Sequence, residues 1–158
     1  MPKIDIETAP RRDGTAYPPP YNAPCRERRR SKLGDAAGLT QFGVNLQRLP
    51  PGQWTSQRHW HSAEDEFVWI LEGEVVLVTD AGEEVLRAGD CAGFKSGVVD
   101  GHHLQNRSDQ IVLLLEVGSR RPDEDAVAYP DIDLKIDAGE AAYRHVDGSP
   151  YPVPGRRR

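Results

Sequence analysis

Residues 52–73 read GQWTSQRHWHSAEDEFVWILEG, and the order of residue types in this stretch points to a β fold. His59 and His61 are two residues apart. In a strand, alternate side chains share a face, so both imidazoles can point at one spot while Trp60 turns the other way. From Glu66 onward the same period of two sets Glu66, Val68 and Ile70 on one face and Phe67, Trp69 and Leu71 on the other. The run Leu71-Glu72-Gly73-Glu74 then has the chemistry of a tight reversal. A carboxylate at the head of an inward apolar row is costly unless something pairs with it, and a cation shared with the two histidines would do so.

Working outward, similar strand signals recur at short intervals: Arg58 to His61, Glu74 to Thr79, Glu84 to Arg87, Cys91 to Phe94, His102 to Asn106 and Ile111 to Val117. Turns rich in Gly, Asp and Ser separate them, at Asp80-Ala81-Gly82-Glu83, Ala88-Gly89-Asp90 and Arg107-Ser108-Asp109. Upstream, Phe42, Val44 and Leu46 alternate with polar neighbours, as in a half-buried strand that Pro50, Pro51 and Gly52 terminate. Downstream, YPDIDLKI reads as one short edge strand, and Asp137 to Arg144 as one or two helical turns with Asp137 as cap. Many short strands at this spacing make an all-β sandwich or barrel. Residues 1–35, with YPPPYNAP and the run Arg26 to Arg30, read as an extended N-terminal arm; residues 36–158 hold the barrel and a C-terminal extension.

With 158 residues, 15 Gly and 13 Pro, the chain suits one domain of strands and turns. Its net charge of −5 argues against gripping a nucleic-acid backbone. The basic runs Arg26 to Arg30 and Arg156 to Arg158 read as solvated terminal segments. No run approaches the roughly 18 apolar residues of a membrane span, and the N-terminus lacks the apolar core of a secretory signal. Cys25 and Cys91 show no paired framework, so reduced thiols and a soluble, cytoplasmic protein are expected. The chain has neither a phosphate-cradling glycine loop nor a Gly-x-Ser-x-Gly elbow, which disfavours nucleotide-dependent and serine-hydrolase chemistry.

A second informative segment, residues 89–106, reads GDCAGFKSGVVDGHHLQN. On a strand, His102, Leu104 and Asn106 share one face and His103, Gln105 and Arg107 the other, so one of the two adjacent histidines can join His59, His61 and Glu66. Three imidazoles and a carboxylate make a mixed N/O site for one divalent transition metal ion, Fe, Mn, Ni, Zn or Co. The first segment resembles the first cupin motif, G(X)5HXH(X)3,4E(X)6G, on Gly52, His59, His61, Glu66 and Gly73. The second resembles the other cupin motif, G(X)5PXG(X)2H(X)3N, on Gly89, Gly97, His102 and Asn106. Three departures stand out: six residues rather than five after Gly52, Lys95 in place of proline, and two extra residues before His102.

The resemblance extends over LTQFGVNL, LEVGSRRPDED and YPDIDL, to a bacterial group of single-domain cupins. It implies a double-stranded β-helix (jelly-roll) barrel, a metal inside it near one mouth, and a homodimer. Its H(X)3N spacing selects His102 as the fourth ligand, with His103 the alternative. Four protein ligands leave two positions open on an octahedral ion, enough for a small oxygen-rich substrate. Dioxygenase, isomerase and lyase chemistry are all compatible, with His103, Gln105, Glu64 or Asp65 as candidate proton carriers or substrate contacts. The competing expectations are a module that binds a small molecule without turnover and a barrel whose metal only ties hairpins together.

Overall fold

The period of two carries through to the backbone. A computed structural model describes residues 3–152, which form twelve strands: β1 (Arg11–Asp13), β2 (Arg29–Lys32), β3 (Phe42–Leu49), β4 (Trp60–His61), β5 (Glu66–Glu72), β6 (Glu74–Thr79), β7 (Gly82–Arg87), β8 (Cys91–Phe94), β9 (His103–Gln105), β10 (Val112–Ser119), β11 (Val127–Tyr129) and β12 (Leu134–Ile136). Helix among the described residues is limited to one turn, α1 (Leu33–Ala36), and a 3-10 turn at Ala23–Cys25. The strands order into sheets β1-β2-β3-β10-β5-β8, β12-β11-β4 and β7-β6-β9, giving an all-β jelly-roll barrel. Every named pairing is antiparallel.

The main core lies between the long sheet and β6, β7 and β9, where Leu49, Val68, Ile70, Val75, Leu77, Leu86, Leu104, Val112 and Leu114 are buried. Val68 and Ile70 point inward from β5 as their alternation requires. Phe67, Trp69 and Leu71 stand on the outer face, Trp69 at 46% exposure. Gly73, at the β5–β6 reversal, has φ +82°, and a Cβ there would come 3.0 Å from the Val112 side chain. A second core joins the N-terminal segment to the last hairpin: Tyr17 and Cys25 pack with Val127, Tyr129, Leu134, Ile136 and Tyr143.

Four features depart from the sequence reading. On β3 the inward residues are Gln47 and Leu49, whereas Phe42 is exposed and Val44 and Leu46 are only partly covered. The apolar alternation there marks the outer face, because the inner one lines a polar cavity. The expected single edge strand is instead the hairpin β11–β12, with Val127 paired to Ile136 and Tyr129 to Leu134. No helix forms at Asp137 to Arg144; Arg144 exchanges backbone hydrogen bonds with Lys135, 2.9 and 3.0 Å, and so extends the hairpin. The run Arg26 to Arg30 is not uniformly solvated: Arg26 and Arg29 are exposed, but Arg28 is buried and Arg30 half-buried on the inner face beside β3. Within the N-terminal segment, β1 and β2 extend the long sheet from its β3 edge. The run Arg156 to Arg158 lies outside the described residues.

Candidate metal centre

Where the three sheets approach one another, an isolated antiparallel bridge joins His59 to His102: the His59 N–H donates to the His102 carbonyl at 3.2 Å, and the His102 N–H to that of His59 at 2.9 Å. The two imidazoles therefore lie side by side, ring centroids 5.0 Å apart. His61 follows on β4, and Glu66 opens β5. Arg58 fixes this junction by pairing with Asp80 and Asp131 and donating to the Gly101 carbonyl, which holds the segments leading into His59 and His102 together.

The histidine Nε2 atoms converge on one carboxylate oxygen. Glu66 Oε2 lies 2.9 Å from His102, 3.4 Å from His59 and 3.5 Å from His61. Neighbouring donors on an octahedral ion with bonds of about 2.1 Å sit roughly 3 Å apart, so these spacings suit a small divalent ion. His59, His61 and Glu66 form the tight group, each offering a donor within 4.8 Å of the others; His102 joins through Glu66.

The outer nitrogens fix the tautomers. The Gln57 carbonyl accepts from His59 Nδ1 at 2.9 Å, and Asp125 Oδ2 from His61 Nδ1 at 2.6 Å. Nε2 is thus the atom that His59 and His61 turn toward Glu66, the one a ligating histidine would offer an ion. Burial pushes His59 down to about 4, so it is neutral at neutral pH. Burial alone would raise Glu66, but the imidazoles of His61, His102 and His59 outweigh it and hold the carboxylate well below its ordinary range. Asp125 follows the same balance: burial opposes its charge, and His61 with the N–H groups of Ala63 and Glu64 (2.9 and 3.2 Å) holds it ionised. The His102 ring stacks on Phe94, centroids 3.5 Å apart.

One side of the group is open. The His61 side chain is 4% exposed and that of Glu66 31%. The site faces a cavity of about 510 Å³ whose walls include Tyr17, Tyr129, Arg28, Arg30 and Glu116. A metal held here would keep a substrate-accessible face, unlike a closed structural site.

The other candidates divide. His103 turns away, its Nδ1 3.0 Å from the Ser56 carbonyl, its Nε2 2.9 Å from Gln105, and its ring against Trp54. Asp65 accepts from the Ser96 N–H. Glu64 lines the cavity, within 4.8 Å of donors on His61 and Asp125. Sequence reasoning missed Asp125, Arg28 and Arg30. Asp125 sits in an acid-rich run that looks like any polar loop, and the pairing of Val127 with His61 is what brings it to the histidine.

The Cupin domain family matches residues 45–118. A crystal structure of a sugar phosphate isomerase of the cupin superfamily from Silicibacter pomeroyi is 46% identical over 95% of this chain and 96% of its own, with a TM-score of 0.88. A protein from Acidithiobacillus ferrooxidans with a provisional sugar phosphate isomerase assignment is 31% identical over 77% of this chain and 76% of its own, TM-score 0.68. A predicted oxalate decarboxylase from Thermotoga maritima is 26% identical over 60% of this chain and 82% of its own, TM-score 0.52. No curated protein matches.

Proposed function

Because the chain belongs to the cupin superfamily, we propose that it is a metal-dependent isomerase of a small phosphorylated sugar, holding one divalent transition metal ion with His59, His61, Glu66 and His102. The convergence of three Nε2 atoms on Glu66 Oε2 beside an open cavity carries the reading. The likeness to two proteins described as sugar phosphate isomerases favours isomerase over dioxygenase or lyase chemistry.

Once bound, the ion would polarise a carbonyl and the neighbouring hydroxyl of the sugar. Glu64 would take a proton from the hydroxyl-bearing carbon and return it to the adjacent carbon, while the proton of that hydroxyl passes to the former carbonyl oxygen. Its Oε1 accepts from the Arg121 N–H at 2.8 Å, which orients the group at the cavity wall. Asp125 holds His61, and Tyr129, stacked on His59 with centroids 5.7 Å apart, limits that ring's rotation and covers it from water.

The outer face carrying Phe42, Phe67, Trp69 and Leu71 suits pairing with a second copy, and the two unpaired cysteines fit a reducing cytoplasm. Among the described residues, no helix is long and apolar enough to cross a membrane. The test is to incubate metal-loaded protein with aldose and ketose phosphates in D2O. Interconversion with deuterium entering at the accepting carbon is expected, and Glu64→Gln should slow it by about 100-fold with metal content retained. Retained metal with no turnover of any of them would leave a binding module and refute the enzyme reading.

A further inference from the structure

Beyond the metal ligands, the same cavity contains a buried cation that the proposed chemistry does not use. Arg28 is 4% exposed and forms part of the wall. Its Nε donates to the Gly14 carbonyl at 3.1 Å, and its guanidinium lies over the Tyr17 ring, 5.8 Å from the centroid. Both partners are neutral, and Nη1 is buried with no hydrogen-bond partner among the described residues. Gln47, fully buried nearby on β3, is in the same condition: its Oε1 accepts from Arg30 Nε at 2.9 Å, and its Nε2 has no partner there. Glu116 is already engaged by Arg30, at 2.9 Å. Cores rarely leave a guanidinium N–H and an amide N–H unmatched in one place, because each forfeits the hydrogen bonds it made to water.

A guanidinium that lines the cavity, donates to a neutral carbonyl and keeps one N–H unmatched is complementary to an oxyanion. We infer that Arg28 forms an anion subsite that takes the phosphate of the substrate, with Gln47, held by Arg30 through its Oε1, buried behind the cavity wall. The spacing agrees. Arg28 lines the same cavity as His59, His61, Glu66 and His102, and the Arg30–Glu116 pair on its wall lies one pleat, about 7 Å along β10, from the position opposite Glu66. A phosphorylated sugar of a few carbons can span from there to the metal side. The identity of the substrate rests on the isomerase reading; the subsite itself rests on the buried donors.

The test uses inorganic phosphate on chelator-treated, metal-free protein, so that a failed metal site cannot be mistaken for a failed anion site. Phosphate should bind in calorimetry and raise the Tm of the wild type. Arg28→Met should weaken binding by at least about tenfold, with partial rescue in Arg28→Lys. Since a buried arginine can matter for folding, Gln47→Glu provides the independent arm. It keeps an acceptor for Arg30 and adds a negative charge beside Arg28, so the unliganded protein should be more heat-stable while phosphate binding is lost. Absence of phosphate binding to the wild type, or unchanged binding in folded Arg28→Met or Gln47→Glu, would overturn the assignment. Phosphate binding without isomerase turnover would keep the subsite and remove the proposed reaction.

Discussion

Replacing Asp125 by Asn should disable the metal site through a single proton. In the wild type, Asp125 Oδ2 accepts from His61 Nδ1 at 2.6 Å, and Oδ1 accepts from two backbone N–H groups, those of Ala63 and Glu64. The asparagine oxygen will stay with the two backbone donors, so its NH2 must face His61 Nδ1. Two donors cannot share that contact, and the imidazole resolves it by moving its proton to Nε2, the atom that faces Glu66. A protonated Nε2 cannot ligate. Altering partners of this kind costs about 10–100-fold in metal affinity, ~1.4–2.7 kcal/mol. Asp125→Ala is the contrasting variant: it strands the two partly buried N–H groups and destabilises the fold by about 1 kcal/mol, but leaves His61 free to choose its tautomer. Competition with a chromophoric chelator and thermal unfolding of the metal-free proteins separate the effects. Asparagine should lose more metal affinity than alanine, and alanine more stability than asparagine. Wild-type metal affinity in Asp125→Asn would refute the tautomer argument.

Other outcomes follow from the same geometry. His59→Ala and Glu66→Ala should each lose the roughly one equivalent of metal that the wild type binds by elemental analysis. Truncating Ile70 to Ala in the main core, where it is fully buried, should cost about 2–5 kcal/mol in denaturant unfolding. Gly73→Ala should lower the Tm by the equivalent of about 1–3 kcal/mol, because it combines a positive φ with a 3.0 Å approach to Val112. In metal-free protein His59 is held below its unfolded value of about 6.5. The unfolded chain then takes up the extra proton, so this contribution to stability is complete above pH 6.5 and is lost as the pH falls through about 4. Acid titration of the Tm reads this directly, and His59→Gln should flatten that part of the curve.

How much of this was legible beforehand varies by residue. The boundaries of β6 and β8 and the facing of Val68 and Ile70 against Phe67 and Trp69 follow from alternation, because packing on one side of a sheet imposes a period of two. The same alternation put His59 and His61 on one face and Glu66 at the head of an inward row, but left His102 and His103 open; the H(X)3N spacing of the cupin motif chose between them. On β3 the rule misleads: an apolar stripe implies a dry face, yet the drier face here carries Gln47. Asp125 and Arg28 were invisible for another reason. Their roles depend on contacts across 64 residues to His61 and 14 to Gly14, and no local pattern distinguishes a charged residue that will be buried from one that will stay in water.

The bridge between His59 and His102 also bears on the order of assembly. Glu66 belongs to the long sheet, His61 to the sheet of the last hairpin, and the segment entering β9 supplies His102. His59, His61 and Glu66 are neighbours in sequence, but His102 lies 36 residues beyond Glu66 and joins them only as the barrel closes. The complete set of four ligands therefore exists only once the barrel has closed, whereas in a zinc finger metal binding and folding are one step. The closed barrel can take up its metal through the cavity that these ligands line. Metal added at the start of refolding should leave the folding rate unchanged while slowing subsequent unfolding.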